Sequence, residues 1–285
     1  MKKPRNRQSM DTPAYLDVPR WKKLAIVLAV RAMRSKYLSS VTHRKGSVLM
    51  LSAHICVKSA FHTSLSEAHA MEFVRRNTSI PVPRVYYAFE HASRVYLVMQ
   101  RIKAPNLSNQ WVRRSEESKE KVLQQLKTMC EELRSLEVPK GIGVANVDCG
   151  PIYDQRLPGD SQWGPYSCIQ DFHKALVDDL DIAAIRDESY SDLQELAKFY
   201  QQPWQDPVFT HGDLSSFNIL CEQDEVVGIV DWETAGWLPP YWEYVTAWNV
   251  NPYNEFWQEE VDKFLTPDPF AREMDAVRRK YFGLF

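Results

Sequence analysis

The densest chemistry in the sequence lies in FTHGDLSSFNIL (209–220), followed closely by EVVGIVDWE (225–233). The two stretches hold His211, Asp213, Asn218 and Asp231 in order, five residues from Asp213 to Asn218 and thirteen from Asn218 to Asp231. Between the last two, the runs Ile219–Cys221 and Val226–Val230 flank a polar turn, which predicts a β-hairpin. A hairpin folds its ends together, so Asn218 and Asp231 are expected close enough to share a metal. Phosphoryl transfer asks for this set of groups. One carboxylate positions the attacking hydroxyl and takes its proton; an amide oxygen and a second carboxylate hold Mg²⁺ on the nucleotide phosphates. Gly212 lets the chain turn sharply just before Asp213. Taken singly, Asp213 and Asn218 are ordinary turn formers and Asp231 reads as a strand cap. The four together at this spacing carry the reading.

The elements that must position these groups follow from periodicity. Residues 20–38 read as a helix, with Leu24, Val27, Leu28 and Arg31 at helical spacing. VLML (48–51) and HICVKSA (54–60) are short β-prone runs. SLSEAHAMEFVRR (64–76) reads as a helix opened by a capping box, Ser64 at the N-cap and Glu67 three residues on. PVPRVYYAF (81–89) and RVYLVMQ (94–100) flank a polar EHAS turn and predict a hairpin. Beyond residue 101 the texture becomes helical. Val122, Leu126, Met129, Leu133 and Leu136 mark a helix over about 115–137. The stretch 138–165 is an irregular connection long enough to suggest function. Helices are expected over 168–185 and 188–201, strands within 207–231, and mostly helix over 239–285. The fold class is therefore α+β: a basic mobile arm (1–19), a small sheet-rich lobe (20–101) and a larger helical lobe (102–285).

Composition sets bounds. With 44% hydrophobic and 25% charged residues in 285, the chain is neither collagen, coiled coil nor wholly disordered. The net charge of −2 excludes a nucleic-acid polycation, so no nucleic-acid partner is expected. The average hides an asymmetry: residues 1–45 hold twelve Lys/Arg against two Asp, and the remainder is strongly acidic. Five cysteines without a CxxC pair predict reduced thiols, no zinc site and a cytoplasmic setting. The Arg-rich, acid-poor start leaves a mitochondrial presequence as the alternative. The longest apolar run, LAIVLAV (24–30), is far short of the roughly 20 residues that cross a bilayer, so no transmembrane segment is expected.

HGDLSSFNIL followed by GIVDWE resembles the aminoglycoside phosphotransferase and choline kinase-like family, over roughly residues 45–250. DWETAGWLPPYWEY (231–244) and VRRNTSIPVPRVYYAFE upstream look like its branch of small phosphotransferase-like proteins from filamentous fungi. The resemblance implies a two-lobed, protein-kinase-like fold and the cofactors ATP and Mg²⁺. It implies that Asp213 is the catalytic base, that Asn218 and Asp231 are the metal ligands, and that His211 braces the catalytic loop. It further implies that Lys58 contacts the α/β-phosphates with Glu67 as its partner, and that Met99, Gln100, Arg101 and Ile102 form the hinge that meets adenine. The plainer reading of Lys58 is a solvated lysine on an edge strand. The sequence departs from the kinase pattern in lacking a G-x-G-x-x-G loop; before Lys58 the only glycine is Gly46.

Two functions compete: an ATP-dependent enzyme phosphorylating a small-molecule hydroxyl, and a non-catalytic, pseudokinase-like nucleotide-binding module. A protein kinase is disfavoured because WET, not FG, follows Asp231 and no APE-like segment end appears. A metal hydrolase lacks further ligands near His211 and Asp213. Eight aromatic or acidic residues crowd positions 232–248, namely Trp232, Glu233, Trp237, Tyr241, Trp242, Glu243, Tyr244 and Trp248. Aromatic faces with carboxylates attract cations, so a cationic acceptor is expected in a pocket lined by Glu233, Trp237, Tyr241 and Trp242. The competing expectation is that these aromatics are core.

Overall fold

The computed structural model describes residues 13–35, 44–60, 63–158, 162–249 and 255–283. They fall into two compact units, one drawn from the stretches 1–65 and 85–101, the other from 66–84 and 102–285.

The first unit holds helix α1 (Arg20–Met33) and strands β1 (Arg44–Lys45), β2 (Val48–Met50) and β3 (Ile55–Lys58). Helix α2 (Leu65–Asn77) follows and belongs, from Ser66 on, to the second unit. Strands β4 (Val85–His91) and β5 (Arg94–Gln100) complete the first unit's antiparallel sheet, in the order β1-β2-β3-β5-β4. The β4–β5 connection is the two-residue turn Ala92–Ser93, both residues left-handed, as the twist of a tight hairpin demands. Phe89 and Tyr96 face each other across that ladder with their rings stacked 5.3 Å apart. They join Leu49, Val57 and Val98 under Val27 and Val30 of α1, so the helix covers the sheet. Of the residues at helical spacing, Val27 is buried while Leu24 and Leu28 are 53% exposed. The run LAIVLAV is apolar on every side, so spacing alone could not say which residues turn inward.

The expected mobile arm needs correction at its C-terminal end. Val18 is buried in this core, and the carbonyl of Tyr15 accepts the Ala88 N–H at 2.9 Å. Strand β4 is a sheet edge, and residues 13–19 cover part of it. Residues 1–12 lie outside the described residues.

The second unit continues with α3 (Glu116–Arg134), whose N-cap Ser115 accepts the Ser118 N–H. The stretch predicted to be irregular carries three two-residue strands, β6 (Ala145–Asn146), β7 (Ile152–Tyr153) and β8 (Gln162–Trp163). Helix α4 (Ile169–Leu176) is shorter than expected. Asp178 and Asp179 adopt left-handed backbone within an acidic run and stop it. After α5 (Ser191–Gln201) come β9 (Val208–Thr210), β10 (Ile219–Glu222), β11 (Glu225–Ile229) and β12 (Gly236–Leu238). Strands β10 and β11 form the predicted hairpin, with Ile219 opposite Ile229. Strand β12 is the middle of a three-stranded sheet between β6 and β9. Helices α6 (Trp242–Trp248), α7 (Glu255–Phe264) and α8 (Pro269–Phe282) close the unit.

Indoles dominate its core. Trp111 packs edge-on against Trp257 at 5.5 Å, and Trp237 against Phe209 at 5.1 Å. Trp111 donates to Glu260 and Trp257 to the Leu214 carbonyl, so both buried N–H groups are satisfied. Among the described residues no helix is long and apolar enough to cross a membrane. All five cysteines are free thiols. Protein denatured without reductant is expected to titrate for five thiols with a colorimetric thiol reagent; a count of three or one would reveal disulfides and overturn the reduced state.

Candidate active site

Strand β9 runs out at Thr210, and the chain enters the loop 211–218 that leads into β10. Three side chains grip the start of that loop. Glu243, buried on α6, accepts the His211 N–H at 2.6 Å on one oxygen and the Gly212 N–H at 3.0 Å on the other. Thr234 donates its hydroxyl to the His211 carbonyl at 2.9 Å. Arg156, from the segment after β7, donates to the Gly212 carbonyl. Gly212 sits at φ +80°, and a Cβ there would lie 2.8 Å from the Thr234 carbonyl oxygen, so only glycine fits.

His211 accepts the Asp213 N–H on Nδ1 at 3.1 Å. Its proton therefore sits on Nε2, which donates to the Val230 carbonyl at 3.0 Å. Both ring nitrogens are engaged, and the ring rests against Trp232 with centroids 4.5 Å apart. This histidine ties the loop to the far strand of the hairpin; it is not arranged to carry protons.

Asp213 receives the amide of Asn218, whose Nδ2 donates to the Asp213 carboxylate at 2.8 Å and to its backbone carbonyl at 2.9 Å. Burial pushes the Asp213 carboxyl up to about 6; the guanidinium of Arg156, 3.7 Å away, opposes that rise and the charge of Asp231 adds to it. Asp231 follows β11, and the Val230 N–H donates to the Asn218 carbonyl at 2.9 Å, which closes the neck of the hairpin beside it. Asp231 is itself left-handed, at φ +69°, a conformation that costs a non-glycine residue energy and is typical of functional positions.

These donors suit a hard cation. With Nδ2 of Asn218 engaged by Asp213, its Oδ1 remains the oxygen that can ligate a metal. No group of three His, Cys, Asp or Glu side chains forms a cation cage among the described residues. Mg²⁺ does not need one, because it is usually held by one or two carboxylates together with phosphate oxygens and water.

The other expected site residues are distributed as follows. Lys58 ends β3, an interior strand, and is 4% exposed, which removes the solvated edge-strand reading. Glu67, in the first turn of α2, is 1% exposed. Met99 and Gln100 end β5 opposite Cys56 and Ile55, the Arg101 N–H donates to the His54 carbonyl, and Ile102 opens the second unit.

The open aromatic pocket is not found, since Trp237, Tyr241 and Trp242 are buried, although Trp242 lines a cavity together with Arg156. Trp237 lies in the central strand β12 against Phe209, and Trp242 packs on Phe172 at 5.1 Å. The Tyr241 hydroxyl lies 2.9 Å from His173, whose imidazole burial holds near 3 and hence neutral. All three are buried because β12 is flanked on both sides and α6 is enclosed by its neighbours. Glu233 alone of the four stays half-buried. Glu243 faces backbone N–H groups, not a cation. Sequence reasoning missed that role, and it missed Asp154 and Arg156, which lie in the connection flagged only for its length. The two-residue spacing Asp-Gln-Arg was the one available signal. Asp154 takes the guanidinium through both oxygens, at 2.8 and 2.7 Å.

The sequence pattern of the phosphotransferase enzyme family, abbreviated APH, matches residues 35–274. The chain belongs to that family. No curated protein matches it significantly by sequence. Among solved structures, aminoglycoside phosphotransferase APH(4)-Ia superposes with a TM-score of 0.60 at 16% identity, covering 90% of this chain and 88% of that one. A thermostable mutant of the same protein, in ternary complex with AMP-PNP and hygromycin B, gives 0.58 at 17% identity over 83% and 82%. The gentamicin complex of APH(2″)-IIa gives 0.55 at 14% identity over 93% and 86%. The α+β, kinase-like fold expected from the motif is therefore the fold observed.

The grip of Glu243 makes a measurable prediction. Burial pushes its carboxyl up to about 7 against the downward pull of the His211 and Gly212 N–H groups. The native state therefore binds more protons than the unfolded chain between about pH 4.5 and 7, and wild type loses stability as pH rises through that window. Glu243→Gln keeps one acceptor but sets an amide NH₂ against the other N–H, a loss of about 1–3 kcal/mol. In urea unfolding its deficit is expected to be largest near pH 5 and to narrow toward pH 8. A deficit that widens with pH contradicts the assignment.

Proposed function

We propose that the protein is an ATP-dependent phosphotransferase acting on a hydroxyl of a small molecule, with Asp213 as the general base. The observation that carries this reading is the held catalytic loop: Gly212 turns the chain, and Asn218 fixes the Asp213 carboxylate at 2.8 Å. In the reaction the acceptor oxygen forms a bond to the γ-phosphorus, the bond from that phosphorus to the bridging oxygen breaks, and ADP leaves with the electron pair. The acceptor proton goes to Asp213. A carboxyl raised to about 6 is ionised at neutral pH yet more basic than an ordinary aspartate, which suits that step. Asn218 and Asp231 would hold Mg²⁺, which neutralises charge on the phosphates. Lys58 serves the α/β-phosphates with Glu67 as its partner, the backbone of Met99–Ile102 meets the adenine, and His211 keeps the loop in place. Five free thiols suit a reducing compartment such as the cytoplasm.

A pseudokinase-like binding module is the second reading, favoured by the missing glycine-rich loop ahead of Lys58. Thermal shift with Mg·ATP followed by a transfer assay separates the two. Asp213→Asn is expected to keep the fold and nucleotide binding but to lose about 10²–10⁴-fold in transfer, because the amide cannot take the proton. Residual activity within about threefold of wild type on a validated acceptor would sink the role of base. Asp231→Ala is expected to abolish the Mg²⁺-dependent part of nucleotide affinity in calorimetry. An unchanged Mg·ATP affinity in the folded variant would rule out the metal assignment.

A further inference from the structure

Beside the catalytic loop the second unit contains a cavity of about 350 Å³, walled in part by Asp154, Arg156, Asn249, Asp275, Arg278 and Arg279. Arg156 joins it to the chemistry, since this guanidinium also lies 3.7 Å from Asp213. Which charge the cavity can receive depends on which hydrogen-bonding positions its own residues leave unused.

The carboxylates are already taken. Asp154 accepts the Arg156 backbone N–H and Nε on one oxygen and Nη2 on the other. Asp275 accepts Arg278 Nε on Oδ1, against which Arg278 Nη2 also lies at 2.8 Å, and Asn249 Nδ2 and Arg279 Nε on Oδ2. A carboxylate offers about four acceptor positions, and with three hydrogen bonds and a further guanidinium nitrogen in contact Asp275 has both oxygens occupied. The Asn249 carbonyl is engaged too, by Arg279 Nη2 at 2.8 Å. What remains is donor capacity. Nη1 of Arg278 is buried with no hydrogen-bond partner among the described residues. Nη1 of Arg279 makes no hydrogen bond within the described residues, on a side chain that keeps 44% of its surface accessible. Nη1 of Arg156 lies 3.7 Å from Asp213, beyond hydrogen-bond reach. Arg156 lies against Asp154 and Asp213, and Arg278 and Arg279 share Asp275, so the wall is donor-rich.

We propose that this cavity binds an oxyanion of the acceptor through Arg156 and Arg279, so that the substrate is a small hydroxyl compound bearing an anionic group. This rests on the phosphotransferase reading and reverses the charge suggested by the aromatic and acidic stretch 232–248. An ammonium entering the cavity meets arginines and finds no unoccupied carboxylate oxygen on Asp275. A carboxylate or phosphate meets two guanidinium N–H groups that recognise oxyanions well. The placement of Arg156 between cavity and base sets the anionic group a short chain away from the hydroxyl to be phosphorylated.

The test is an ADP-release assay with a matched panel: glycerate, 3-hydroxypropionate and 4-hydroxybutyrate; glycerol 3-phosphate and glucose 6-phosphate; ethanolamine, choline and kanamycin. Turnover is expected only among the first two groups, and which of them is used tells a carboxylate from a phosphate. For the accepted compound Arg279→Gln is expected to raise acceptor KM at least about tenfold while the KM for ATP moves less than about twofold, with partial recovery in Arg279→Lys. The neutral amide or alcohol analogue should be a poor substrate of wild type and insensitive to the substitution. Turnover confined to the amino alcohols or kanamycin overturns the proposal, as does an acceptor KM unmoved by Arg279→Gln. If no compound is phosphorylated, calorimetry with the same anions decides: binding that Arg279→Gln abolishes upholds the oxyanion site while the phosphotransferase reading fails, and absence of binding by every anion overturns the site.

Discussion

The loop that would do chemistry depends on one buried carboxylate. Glu243 sits in the core on α6 and spans two consecutive backbone N–H groups, those of His211 and Gly212. Putting a carboxylate there is costly, as its upward shift to about 7 records. The return is geometric. Two donors on adjacent residues leave the loop one entry direction, and Gly212 makes that direction accessible with a backbone no other residue tolerates so close to Thr234. From that fixed start His211 reaches Val230, Asp213 hangs from the His211 ring, and Asn218 ties the loop's end back to Asp213. The hairpin then delivers Asp231. Each contact is short-range, but all inherit their frame from a residue more than thirty positions downstream.

Charge is arranged around this frame in layers. Asp213 is raised by burial and by Asp231, and Arg156 offsets part of that effect. Burial alone would discourage the Arg156 cation, yet Asp154 and Asp213 hold it firmly protonated. The next layer out repeats the device with Asp275 between Arg278 and Arg279. Buried charges are tolerated here because the carboxylates of Asp154 and Asp275 accept donors on both oxygens. The aromatic residues supply the rigid surround: Trp232 against His211, Trp237 in the central strand, Trp257 on the Leu214 carbonyl.

The sequence by itself determined what is local. His211, Asp213, Asn218 and Asp231 were legible because a loop and a two-stranded hairpin place them, and hairpin register follows from residue spacing and turn chemistry within about twenty residues. Strands β2 to β5, the hairpin turn within EHAS and the family pattern were legible for the same reason. Tertiary structure decided whatever depends on residues far apart in the chain. Spacing named the apolar residues of α1 but not its inward face, because a helix apolar all round is oriented only by the sheet it covers. For the aromatics at 232–248 core was the stronger expectation, and the flanking of β12 by β6 and β9 makes Trp237 core. Glu243 looked like a carboxylate for a ligand until folding set it under two N–H groups. The cavity is the extreme case: Arg156 and Arg279 share a wall although 123 residues separate them. A hydrogen-bonding group's role depends on which of its positions neighbours leave unused, and those neighbours are chosen only when the chain packs.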